Sequence, residues 1–97
     1  MTASDEELVG RVAGGDRGAF AALYDRFAPR VFGLLLRLVR NQADAEDVLQ
    51  DPFLRVWELA PRFDGGRCPA AGWVLMIARC RAVDRLRRRP PAAPGSE

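Results

Sequence analysis

FAALYDRFAPRVFGLLLRL, residues 20–38, decides the fold class. Its apolar positions Phe20, Leu23, Tyr24, Phe27, Val31, Leu34 and Leu38 recur at i, i+3, i+4 and i+7, the period of a helix that buries one stripe. Asp16, a capping residue, stands ahead of the run, so the helix is expected from there to about Arg40. Pro29 falls inside it, where a missing N–H and a bulky ring predict a kink or one loosened turn. Upstream, Ser4 followed by Glu7 reads as a capping box that opens a short helix to about Ala13, stopped by Gly14-Gly15. Downstream, Asn41 to Asp44 start a third helix expected to reach about Ala60, with Leu49, Phe53, Val56, Trp57 and Ala60 on one face and Pro61 ending it. Pro52 lies in its middle, where a proline costs about 3 kcal/mol or bends the rod.

RFDGGRCP, residues 62–69, is a loop by its glycines, aspartate and proline. A fourth helix is expected from about Ala70 to Arg88, with Trp73, Met76, Ile77, Cys80 and Val83 as its apolar face. No stretch sustains the alternation of a strand. The expected fold is therefore all-α, a compact bundle of about four helices over residues 1–89. PPAAPGSE, residues 90–97, reads as the start of a flexible Pro/Ala linker, as though a further domain followed and the chain were a truncated piece.

The composition excludes several kinds of chemistry. The 97 residues contain no histidine, which removes the commonest general base and the commonest zinc ligand. Serine occurs only at Ser4 and Ser96, so a serine triad is not expected. Cys68 and Cys80 fit no metal-binding spacing, and a helix starting near residue 70 would hold them about 15 Å apart, too far for a disulfide. Two free thiols in a reducing compartment, no metal and no cofactor are expected. The acidic, polar N-terminus MTASDEEL is no secretory signal, and the longest apolar stretches are too short to span a bilayer. A cytoplasmic protein that works by binding rather than by catalysis is the reading these absences favour.

Charge is distributed unevenly behind a formal net value of +2. Residues 41–51 carry Asp44, Glu46, Asp47 and Asp51 with no base, whereas residues 79–89 carry six arginines against Asp84 alone. All 15 basic residues are arginine, the side chain suited to bidentate phosphate contacts and to stacking on bases. Arg81, Arg85 and Arg88 stand at i, i+4 and i+7, a basic stripe denser than helix capping requires, and a phosphate backbone is the usual neutralising anion. Arg62, Phe63, Asp64 and Arg67 set an aromatic beside cations in the glycine loop, and Trp73 follows one turn into the basic helix, a mixture suited to unpaired bases. Trp73 also suits the core, and Phe63 suits either role. The acidic face of Asp47, Gln50 and Asp51 extends past a first helical turn and is fit to receive a basic surface. The two patches are read as facing different partners.

Taken together, DAEDVLQDPFLRVW (44–57), RFD (62–64) and GWVLMIARCRAVDRLRRR (72–89) resemble region 2 of the bacterial extracytoplasmic-function (ECF) sigma factors, and residues 5–38 resemble the start of that domain. The resemblance implies a helical domain that docks on core RNA polymerase and recognises and melts the −10 promoter element. It implies that Asp44, Asp47, Gln50, Asp51 and Leu54 meet the clamp helices of the β′ subunit, the D-x-x-Q-[ED] pattern falling on Asp47, Gln50 and Asp51. It implies that the loop carrying Arg62, Phe63, Asp64 and Arg67 captures a flipped base of the non-template strand. Arg79, Cys80, Arg81, Arg85 and Arg88 of the fourth helix would then meet the upstream edge of the −10 sequence. It implies a second, helix-turn-helix domain beyond the linker and an anti-sigma factor as a regulatory partner.

Two departures stand out. Cys80 occupies a position where the family often carries asparagine, a better hydrogen-bond donor than a thiol, and Cys80 also suits a small core site. Pro52 interrupts a helix that the family keeps whole. Read from the residues without the family, two other functions stay open: a helical protein-interaction module with a solubilising basic tail, and a duplex-DNA binder with the fourth helix in the major groove.

Overall fold

The computed structural model describes residues 2–88; Arg89 and the 90–97 linker lie outside the described residues. Five α-helices follow in chain order: α1 (Asp5–Ala13), α2 (Arg17–Val39), α3 (Gln42–Val48), α4 (Gln50–Leu59) and α5 (Ala70–Arg88), with one 3-10 turn at Ala60–Arg62. No strand occurs among the described residues. The start signals act as read. Ser4 and Glu7 form the reciprocal capping box of α1, with the Glu7 amide donating to Ser4 Oγ at 3.0 Å and the Ser4 amide donating to Glu7 Oε1 at 2.8 Å. The Ser4 amide, and after it the Ser4 hydroxyl, hold the Glu7 carboxyl below its usual pKa, so the box contributes fully above the ordinary glutamate range and weakens as pH falls through the lowered value. Asp16 caps α2 by accepting from the Ala19 amide, and Asn41 caps α3 by accepting from the Asp44 amide.

The longest helix, α2, is the spine against which α1, α3 and α5 pack. Its buried residues are Ala19, Leu23, Phe27, Val31, Leu35 and Val39, one every fourth position. A row with that spacing moves about 40° around the axis at each step, so the buried line slides across the helix instead of running along it. Near its N-terminal end α2 meets α4 through Phe20 on Trp57, with ring centroids 5.3 Å apart, and Tyr24 on Phe53 at 4.6 Å. At its other end Val39 borders a crevice with Asp44 of α3 and Leu86 of α5. The slide explains why Leu35 and Val39 are buried while Leu34 and Leu38, expected in the stripe, are only half-buried. The helix is unbroken across Pro29, because Pro29 and Asp25, the residue whose carbonyl loses its amide donor, are both exposed to water.

On α5 the expected apolar face needs correction. Trp73 and Ile77 are buried and Val83 is half-buried, but Met76 is 54% exposed and Cys80 is exposed as well. The buried row is Ala70, Val74, Ala78 and Ala82, again every fourth residue. Small side chains let two helix backbones come close, so alanine does the work that a hydrophobicity ranking assigns to methionine and cysteine.

The third expected helix is present as two pieces. Pro52 has no N–H to give the Val48 carbonyl, and α3 ends at Val48. Leu49 keeps helical angles (φ −55°, ψ −37°), and α4 resumes at Gln50 with Pro52 buried in its first turn. A first-turn amide lacks an intrahelical partner in any case, so the proline is tolerated there.

Helix α5 follows Cys68-Pro69 and has no local Ser, Thr, Asp or Asn to cap it. Its cap comes from the far end of the chain: Glu6 Oε2 of α1 accepts the Ala70 amide at 2.8 Å. Arg26 of α2 ties the same helix down by donating to Asp5 Oδ1 at 2.8 Å and to the Ala3 carbonyl at 2.9 Å. Replacing Glu6 by alanine removes the cap of α5 and should cost about 1 kcal/mol, the usual value for a lost N-cap. In a domain of this size that lowers the melting temperature by about 4–8 °C in thermal circular dichroism. Glu46→Ala, an exposed acid of α3 bonded only to Gln42, should leave it nearly unchanged.

Candidate functional site

Two helix faces converge on the surface shared by α3, α4 and α5, and both carry charge. Asp44, Asp47 and Asp51 recur at i, i+3 and i+7 along α3–α4, so they share a side. That side faces the arginine stripe of α5. Arg81 makes a bidentate contact with Asp51, donating from Nε to Oδ2 at 2.9 Å and from Nη2 to Oδ1 at 3.3 Å. Arg85 donates from Nη2 to Asp47 Oδ2 at 3.4 Å. Asp44 lines the small crevice that Arg85 also borders. As numbers rise along one element they fall along the other, the register of an antiparallel pair. The acidic and basic patches, read from the sequence as facing different partners, also face each other within the chain. Opposite charges carried on helices that hydrophobic packing brings together pair across the seam, which linear charge counting does not reveal. The Asp51 carboxylate, as hydrogen-bond partner and as charge, raises the pKa of Arg81 further above its usual value.

The remaining residue of the stripe, Arg88, pairs with Asp84 on its own helix at 3.1 Å. Arg79 and Arg87 of α5, and Arg62 and Arg67 of the loop, have no acid partner among the described residues and are exposed. Arg79 and Arg87 border an open groove of about 640 Å³ between α4 and α5, with Met76, Cys80, Arg55 and Arg81 also in its walls. From the sequence Met76 is expected only on an apolar face, and Arg55 and Arg87 are not among the candidate site residues. The spacing of Met76, Arg79 or Cys80, Val83 and Arg87 puts them on one side of α5, but only the packing of the alanine row shows that this side is the open one.

The loop lies elsewhere, at the start of α5. Phe63 packs against Trp73 with ring centroids 4.8 Å apart and the planes tilted by 47°, Phe63 half-buried and Trp73 buried. Asp64 shapes the turn by accepting the Gly66 amide at 2.9 Å on its side chain and the Arg67 amide at 3.0 Å on its carbonyl. The groove lining on α5 runs from Met76 to Arg87 and includes no residue of the loop, so the loop and the groove are two stations along one helix and not one pocket. The loop carries Arg62, Phe63, Asp64 and Arg67; the groove carries Arg79, Cys80 and Arg81.

The acidic side also has an apolar member. Leu54 is 60% exposed on α4, one turn beyond Gln50 and Asp51. Gln50 is exposed but oriented, its Nε2 donating to the Tyr24 hydroxyl at 3.1 Å. Trp57 is half-buried against Phe20. Among the described residues no three His, Cys, Asp or Glu side chains are grouped to hold a metal ion, and no helix is long and apolar enough to cross a membrane.

Comparison with known proteins finds a matching family model and similar relatives. A family model described as Sigma-70 region 2 matches residues 23–90. The chain is similar to the ECF RNA polymerase sigma factor SigK of Mycobacterium tuberculosis (strain ATCC 25618 / H37Rv), 43% identical over 82 residues that cover 84% of this chain and 44% of that protein. It is similar also to the protein of the same name from Mycolicibacterium vanbaalenii, 40% identical over 93 residues that cover 96% of this chain and 47% of that protein. The chain thus spans less than half the length of these relatives.

Both cysteines are free, Cys80 exposed and Cys68 half-buried within the loop. Under limiting N-ethylmaleimide, peptide mapping should find Cys80 alkylated first, with Cys68 following only as the loop opens. Equal rates at the two thiols would contradict this placement.

Proposed function

The chain belongs to the sigma-70 region 2 family, in its ECF branch, and from that premise we propose that it is the part of a transcription initiation factor that docks on core RNA polymerase and recognises and melts the −10 promoter element. It works by binding, in the cytoplasm, and carries out no catalysis. The observation that carries the reading is the presence of two unlike surfaces on adjoining helices. One joins exposed Leu54 to Gln50, Asp47, Asp51 and the half-buried Asp44; the other is a series of arginines without acid partners among the described residues, running from the loop along α5.

The first surface suits the basic β′ clamp helices. Leu54 supplies an apolar contact at its centre and the carboxylates supply steering and register. Gln50, held by Tyr24, is pre-oriented, which reduces the ordering cost of docking. The second surface suits a single strand. Arg62, Arg67, Arg79 and Arg87 contact phosphates, while Phe63, packed at a tilt against Trp73, offers an aromatic wall to an unpaired base. Capture of that base offsets the few kcal/mol needed to unpair it, so melting follows from binding. Cys80, exposed in the groove, lies where a strand passing Arg79 and Arg81 would touch it, but a thiol contributes little to hydrogen-bonded base readout. An anti-sigma factor that covers the Leu54 surface would block docking.

On this reading Leu54→Ala and Gln50→Ala each weaken binding to an isolated clamp-helix fragment by about 1 kcal/mol or more, roughly fivefold. Arg67→Ala and Arg79→Ala leave that binding intact and weaken binding to a non-template −10 strand, with a smaller dependence on salt. Anisotropy titrations with both ligands check these outcomes. Full clamp affinity in both Leu54→Ala and Gln50→Ala, or preference for intact duplex over the single strand, would overturn the reading.

A further inference from the structure

Two of the acidic residues proposed for the polymerase clamp are bonded to two arginines of the α5 stripe that the family resemblance assigns to DNA. Asp51 holds Arg81 through two hydrogen bonds, and Asp47 holds Arg85 through one. Neither pair is sealed off: the side chains of Arg81 and Asp51 are 28% and 43% exposed, those of Arg85 and Asp47 48% and 72%. Each pair bridges separate helices, so neither is needed to cap or close its own helix. All four groups can exchange partners without unfolding anything.

Resting on the proposed function, we infer that these two ion pairs are a self-occluding contact that couples the two binding events. In the free chain, Asp47 and Asp51 screen Arg81 and Arg85 from an anionic strand, and the arginines screen the carboxylates from a basic surface. When a basic partner takes the carboxylates, the guanidinium groups are released toward phosphate. When a strand takes the guanidinium groups, the carboxylates are released toward the basic partner. The coupling is reciprocal, as any equilibrium linkage between two ligands must be.

The size of the effect follows from exposure. An exposed ion pair is worth a factor of about five at most and about two- to threefold in the middle of its range, so two together set a coupling of about five- to tenfold, enough to disfavour DNA binding by the free chain without abolishing it. Screening by salt shortens the range of both pairs, so the coupling shrinks as ionic strength rises. Arg88, held by Asp84 on the same helix, stands outside the exchange, since no partner of α3 or α4 releases it.

The test uses the full chain and a fluorescein-labelled single-stranded 12-mer deoxyoligonucleotide at low salt. Asp47→Asn/Asp51→Asn frees both arginines while keeping side-chain shape. Glu46→Gln/Asp25→Asn removes the same charge from two exposed acids that pair with no arginine. The double Asp variant should bind the strand about fivefold more tightly than the native chain and with a steeper dependence on salt, while the control gains less than about twofold. Asp47→Asn alone, at the more exposed pair, should give an intermediate gain with no cost in folding, which circular dichroism checks. Equal gains in the control and the double Asp variant, or no gain in either, would overturn the coupling. If Arg79→Ala still weakens binding in that case, the proposed DNA surface survives without the coupling. Absence of strand binding in every form would overturn both.

Discussion

Close approach of α5 to α2 is the constraint on which the remaining structure depends. Both helices bury rows spaced by four residues, Ala19 to Val39 on one and Ala70 to Ala82 on the other, and interlocking of such rows fixes how two helices cross. With three alanines in its row, α5 can come close only if it starts at the right place. Glu6 sets that start by accepting the Ala70 amide from 64 residues away in the chain. Once α5 is seated, its opposite faces have no freedom. The side carrying Arg81 and Arg85 meets the acids of α3 and α4, and the side carrying Met76, Arg79 and Arg87 is left open.

That hierarchy explains what could be read from the residues and what could not. Local signals were legible: the Ser4–Glu7 box, the Asp16 and Asn41 caps and the turn at Asp64 all act within a few residues, and each is found where the sequence places it. The phase of burial was not legible at the end of α2 or on α5. Hydropathy ranks leucine, methionine and cysteine above alanine, whereas close helix contact selects for small volume. The Glu6 cap was hidden for another reason, since no local pattern links residue 6 to residue 70. The candidate residues that the family motifs name are exposed or half-buried side chains, but the pairing of Asp51 with Arg81 belongs to tertiary structure alone.

Pairing across the seam also changes the meaning of the small net charge. A chain whose acidic and basic patches lay far apart would present two strong fields. Here Asp47 and Asp51 sit within bonding distance of Arg85 and Arg81, so each field is reduced at short range and only the unpaired arginines act at full strength. The paired arginines remain available at modest cost, because exposed ion pairs are weak. Arginine in place of lysine matters for the same reason: its planar fork engages Asp51 bidentately and can engage a phosphate in the same geometry.

Pro52 completes the picture by changing where the acids stand relative to helix ends. In one continuous helix, Asp51 would be a mid-helix acid with no help from the backbone. The proline ends α3 at Val48 and makes a second N-terminus at Gln50, so Asp51 enters a first turn, where the partial positive charge of free amides favours a carboxylate. Asp47 is left in the last turn of α3, beside the negative end of that helix, where an acid is disfavoured and a cation is welcome. Arg85 supplies that cation. The break thus places Asp51 in the first turn of α4 and leaves Asp47, in the last turn of α3, to pair with Arg85 of α5. Because Leu49 stays helical between them, Asp47, Gln50 and Asp51 still follow one another along nearly the same line. A proline that sequence reasoning treats as damage to a recognition helix is accommodated by relocating it to a first turn, and the acidic surface is carried across the joint.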